Sequence, residues 1–185
     1  MWLDRERYRY WLFQAKKRYG FCVLNYMITS NHIHLLVKRT KPNIIAKSMQ
    51  LIAGRTAQEY NKRKDRKGAY WQDRYHVCVI HSDDYLYRCL TYIDLNMVRT
   101  GRVKHPLDWE YCGFYELMQN KKRYNILSIE SLLDLLGYRS LEQLKKAREA
   151  QVQNALIENS LDREPMWTQN KNIGASEEKY RTGYK

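Results

Sequence analysis

Thr29-Ser30-Asn31-His32-Ile33-His34-Leu35-Leu36-Val37-Lys38 sets two histidines around one bulky apolar residue, at the head of a run that reads as a strand. Strand side chains alternate between faces, so His32 and His34 share one face, with their imidazoles about 7 Å apart. Ile33, Leu35 and Val37 take the other face, which is the expected core face. Two imidazoles on a rigid strand can begin a metal site, but a divalent ion needs at least one more ligand and something to act upon.

The sequence around this stretch alternates helix and strand signals. Tyr8, Trp11, Leu12, Ala15 and Tyr19 recur at helical spacing within residues 4 to 18, and Gly20 is a natural stop. Phe21 to Ile28 is a short apolar run, and Thr29-Ser30-Asn31 turns it into the histidine strand as a hairpin. Pro42 opens a long helix with Ile45, Met49, Ile52, Ala53, Thr56 and Tyr60 on one face, followed by the basic run Lys62 to Gly68. A third strand is expected at His76 to Ile80, and Ser82-Asp83-Asp84 has the composition of a helix start.

The helix that follows holds the partner of the histidine strand. In Tyr85 to Asn96, positions 85, 88, 92 and 96 line one side, so Tyr92 and Asn96 are neighbours one turn apart. Trp109 to Leu117 reads as an aromatic seam packing back on the domain. From Lys121 the character changes to Leu-rich helices, Ser128 to Leu136 and Ser140 to Ile157, with a polar tail after them. The expected division is a domain over 1–119 and a helical extension over 120–185.

Composition narrows the partners. The 185 residues carry 33 Lys and Arg against 20 Asp and Glu, a net charge of +13, which favours a polyanion such as nucleic acid. Sixteen tyrosines add surfaces on which unpaired bases can stack. The cysteines, Cys22, Cys78, Cys89 and Cys112, are too far apart for a zinc or redox motif, and Cys22 and Cys78 read as reduced core residues. Neither a signal region nor an apolar run of about 18 residues is present, so a cytoplasmic location without membrane contact is expected.

Metal, nucleophile and positive charge together point to phosphoryl transfer on a nucleic acid. An ion held by His32, His34 and the amide oxygen of Asn96 would keep positions open for a phosphate oxygen. Tyr92 would be delivered to that phosphate, with Arg88 one turn earlier as a cationic helper. Softness alone would favour zinc on such ligands, and the chemistry favours Mg2+ or Mn2+.

Four blocks in order, Ser30 to Val37, Trp71-Gln72-Asp73-Arg74-Tyr75, Tyr92 to Gly101 and Arg163 to Thr168, resemble the REP-associated tyrosine transposases, within the HUH-type single-strand DNA transposases. The resemblance implies an α+β, ferredoxin-like antiparallel sheet with helices on one face. It also implies Mg2+ or Mn2+ on His32, His34 and Asn96, and attack by Tyr92 that leaves a 5′-phosphotyrosine link. Arg74 and Arg99 fall in family blocks and join Arg88 as candidates for contact with single-stranded or hairpin DNA, and a homodimer is the candidate assembly, which the sequence alone does not fix. Ser30 and Met97 stand where the family commonly has proline. The chain begins at the family's first helix, so the first strand is expected to be missing and the histidine strand to have an unpaired edge. Two functions remain open on this reading: a transposase, or an inactive derivative that binds structured nucleic acid.

Overall fold

The computed structural model describes residues 2–119, 123–159 and 172–173. Helix α1, Trp2–Tyr19, buries Tyr8, Trp11, Leu12 and Ala15 at the expected spacing. It stops where Gly20 takes φ +66° and donates its N–H to the Lys16 carbonyl. Strand β1, Cys22–Ile28, is buried along its whole length. Thr29 closes the turn that follows, its Oγ1 accepting from the His32 N–H at 2.9 Å while the hydroxyl donates to the His32 carbonyl at 2.8 Å.

Strand β2, Ile33–Lys38, runs antiparallel to β1, pairing Ile28 with Ile33, Met27 with His34 and Asn25 with Leu36. Opposed residues share a face, so His34 and Leu36 stand with Met27 and Asn25. A bulge between Val23 and Asn25 interrupts the register. The alternation is as expected, but the burial differs: Leu36, on the histidine face, is 8% exposed, whereas Ile33, Leu35 and Val37 are only half-buried. The histidine face is the one a later helix covers, which is why Leu36 became the buried position.

Helix α2, Ile44–Arg63, begins after Asn43, which adopts φ 62°, and packs along α1. Arg7 grips Glu59 through both oxygens, at 2.5 and 2.6 Å, and Arg63 pairs with Asp4. Trp71 then donates to the Ala53 carbonyl at 3.0 Å, fixing the next segment to α2.

The third strand departs from expectation. Only Val79–Ile80 is strand (β3), and it pairs in parallel with Asn172–Ile173 (β4), apart from the hairpin. Among the described residues β2 pairs with β1 alone, and the 76–80 segment does not join that hairpin. Val77 and Val79 are consequently exposed, and Cys78 is half-buried rather than in the core, unlike Cys22.

Ser82 caps helix α3, Asp83–Asp94, accepting from the Tyr85 N–H, with Asp83 and Asp84 at the positive end of the helix. A break at Leu95 leads into the short α4, Asn96–Arg99; Met97, where a proline would have stopped the helix, is buried instead. The chain then returns to the outer edge of β1. The Ile28 N–H donates to the Tyr111 carbonyl at 2.9 Å and the Ser128 N–H to the Val23 carbonyl at 2.8 Å. Between them lies α5, Gly113–Met118, whose buried Glu116 accepts from the Ile126 and Leu127 N–H groups and from the Tyr26 hydroxyl. One carboxylate thus binds three donors and docks the returning chain on β1.

Helices α6, Ile129–Leu136, and α7, Leu141–Ile157, follow the expected Leu periodicity. Leu132, Leu136, Leu144 and Val152 belong to the same buried cluster as Tyr8 and Ile28. Among the described residues the architecture is α+β, seven α-helices and an antiparallel strand pair, consistent with a partial ferredoxin-like sheet.

Candidate nucleophile and metal site

Helix α3 lies on the histidine face of the hairpin and brings Tyr92 to His34, and Asn96, the first residue of α4, joins them. The Asn96 Nδ2 is 3.2 Å from the His34 Nε2, and the Tyr92 and His34 rings meet edge to face with centroids 6.1 Å apart. Tyr92 is 7% exposed. Arg99, one turn beyond Asn96, places its guanidinium 4.1 Å from the Tyr92 ring centroid and donates to the Tyr92 carbonyl at 3.2 Å. One side chain therefore holds both the ring and the backbone of the candidate nucleophile.

Burial, followed by the neighbouring His32 ring and the Arg99 guanidinium, lowers the His34 pKa to about 4. At neutral pH the imidazole is thus uncharged, the form that offers a lone pair to a metal. His32 is exposed and precedes the first residue of β2, held by the Thr29 turn. Among the described residues no three His, Cys, Asp or Glu side chains cluster as a metal site. Any ion here would draw on the two imidazoles and an amide: half a turn of the Asn96 amide about Cβ–Cγ exchanges the nitrogen facing His34 for the oxygen. The donors fit a divalent cation that keeps open positions for substrate.

Arg88 is exposed, its guanidinium 5.2 Å from the ring centroid of Tyr85 on its own helix. Arg74 is exposed in the irregular segment after Trp71. The fourth family-like block, 163–168, lies outside the described residues.

One group close to this site escaped the reading of the sequence. Asp94, between Tyr92 and Asn96, is 2% exposed and accepts from Arg148 Nη2 at 2.6 Å and from Asn25 Nδ2 at 2.7 Å. A carboxylate flanked by Ile93 and Leu95 on a buried helix was the available signal, since such a charge needs a partner. The partner's identity was not readable, because it lies 54 positions away on α7.

A family model described as "Transposase IS200 like" matches residues 2–96, a span that ends on the candidate ligand Asn96. No curated protein and no solved structure matches the chain.

Proposed function

Because the chain belongs to the IS200-like transposase family, we propose that it moves DNA by cutting and rejoining single strands through a covalent tyrosine link. The observation that carries this reading is the convergence of Tyr92, Asn96 and His34, from two elements distant in sequence, at one place.

Tyr92 is the nucleophile. Its Oη attacks the phosphorus of a phosphodiester while the bond to the 3′ oxygen breaks; the phenol gives up its proton, and the leaving oxygen ends as a free 3′-hydroxyl. The DNA stays attached as a 5′-phosphotyrosine ester. Attack on that ester by another 3′-hydroxyl restores the phenol and rejoins the strand.

His32, His34 and Asn96 are the residues that would hold Mg2+ or Mn2+, which when bound polarises the phosphate and offsets its growing negative charge. Arg99 fixes the phenol ring and sets a positive charge against it as the proton leaves. Arg74 and Arg88, both exposed, suit contacts with the DNA backbone, and the net charge of +13 draws the strand in.

The test is a labelled hairpin DNA incubated with the protein and Mn2+, then resolved under denaturing conditions. A covalent adduct is expected, absent with Tyr92→Phe and absent with chelator. Salt-sensitive binding without an adduct would instead identify a nucleic-acid-binding module.

A further inference from the structure

We propose that the buried Asp94–Arg148 pair is a positioning device, through which helix α7 sets where Tyr92 and Asn96 stand relative to His34. Asp94 is two residues from each of them, which at about 100° per residue puts it roughly on the opposite flank of the helix. Tyr92 on one flank of α3, and Asn96 at the start of α4, meet His34 on β2; the other flank of α3 is gripped by Asn25 from β1 and Arg148 from α7.

The grip is specific. The two carboxylate oxygens take separate donors, Oδ1 from Asn25 at 2.7 Å and Oδ2 from Arg148 at 2.6 Å. Asn25 is fixed in turn: its Nδ2 also reaches the Leu90 carbonyl at 3.3 Å, and its Oδ1 accepts from the Tyr26 N–H at 2.8 Å. Arg148 is 2% exposed and also donates to Gln151. Apolar side chains could fill this space with similar or greater stability, so a buried ion pair gives little reason for itself as a stabiliser. Its directional bonds do fix the rotation and height of a helix, and a contact such as the 3.2 Å one between Asn96 and His34 is lost within about 1 Å of movement.

The consequence for catalysis rests on the proposed function; the placement of the helix does not. The experiment therefore has two arms on Asp94→Asn/Arg148→Met, which removes both charges together and leaves no unpaired one. In the metal-free, DNA-free protein, the imidazole 15N signals of His34 are compared with wild type. They are expected to move or to split into two tautomers. With Mn2+ and hairpin DNA, the rate of adduct formation is expected to fall at least tenfold while DNA affinity stays within twofold.

A cooperatively melting double variant with His34 signals that coincide with wild type overturns the proposal. Shifted signals beside a wild-type protein that forms no adduct would retain the positioning role and refute the proposed function. Should the double variant not melt cooperatively, Arg148→Lys, which keeps the charge and loses the planar fork, gives the same two readings.

Discussion

The Asn96 amide stands 3.2 Å from the His34 imidazole, joining residues 62 positions apart through a contact that carries no charge. A carboxylate in the same place would add a charged oxygen donor to the two imidazoles. Asn96→Asp is therefore expected to tighten Mn2+ binding by about tenfold. Asn96→Leu should weaken it by at least as much. Titration calorimetry with Mn2+ reads both, and equal affinities in the two variants would remove Asn96 from the ligand set.

His34 makes stability depend on pH in a definite sense. Its folded pKa of about 4 lies below the roughly 6.5 of a free imidazole, so between these values the unfolded chain binds a proton that the native state refuses. The contribution is complete above about pH 6.5 and declines as the pH falls towards 4. Allowing for the partial exposure of His34, the loss is on the order of 1 to 3 kcal/mol. Urea midpoints in chelator at pH 7, 6 and 5 should drop more steeply for wild type than for His34→Gln. Parallel curves would show that this imidazole titrates normally.

Arg99 holds Tyr92 by ring and carbonyl, and its loss should affect reaction more than folding. A cation over an aromatic face contributes about 0.5 to 2 kcal/mol, so Arg99→Met is expected to slow adduct formation about tenfold. Arg99→Lys should recover only part of this, because an ammonium can neither stack nor bridge two groups as a fork does. Quench-flow measurement of the adduct separates the three proteins, and an unchanged rate in Arg99→Met would deny Arg99 any part in placing the phenol.

What was legible in the sequence follows from the range of the interactions involved. The spacing of Tyr8, Trp11, Leu12 and Ala15, the stop at Gly20, the turn at Thr29 and the cap at Ser82 are local, and each element formed where its own residues place it. The side of the hairpin that became core depended on which helix lay over it, so Leu36 displaced Leu35 as the buried position. Val77 and Cys78 fall within the expected strand, yet a strand needs a neighbouring edge and composition alone does not supply one; within 76–80 it is Val79–Ile80 that pairs, with Asn172–Ile173. Tyr92 and Asn96 could be paired from helical spacing. The partners of Asp94 and Glu116 could not, since each satisfies a buried charge with groups from other elements.

Gly113 tests the packing behind the Asp94 grip. A Cβ on this first residue of α5 would lie 2.1 Å from Asn25 Oδ1 and 3.1 Å from the Tyr26 nitrogen, so alanine must push the Asn25 side chain from its place. Overpacking of this kind costs about 1 to 3 kcal/mol, more than the roughly 1 kcal/mol that alanine gains over glycine in a helix. Gly113→Ala should therefore lower stability, and the cost should shrink when Asn25→Ala has already removed the obstructing amide. Asn25→Ala alone is also unfavourable, because it deprives Asp94 Oδ1 of its donor. A double-mutant cycle in urea is thus expected to show a coupling of about 1 kcal/mol or more. Strict additivity would mean that Gly113 is required for some reason other than its closeness to Asn25.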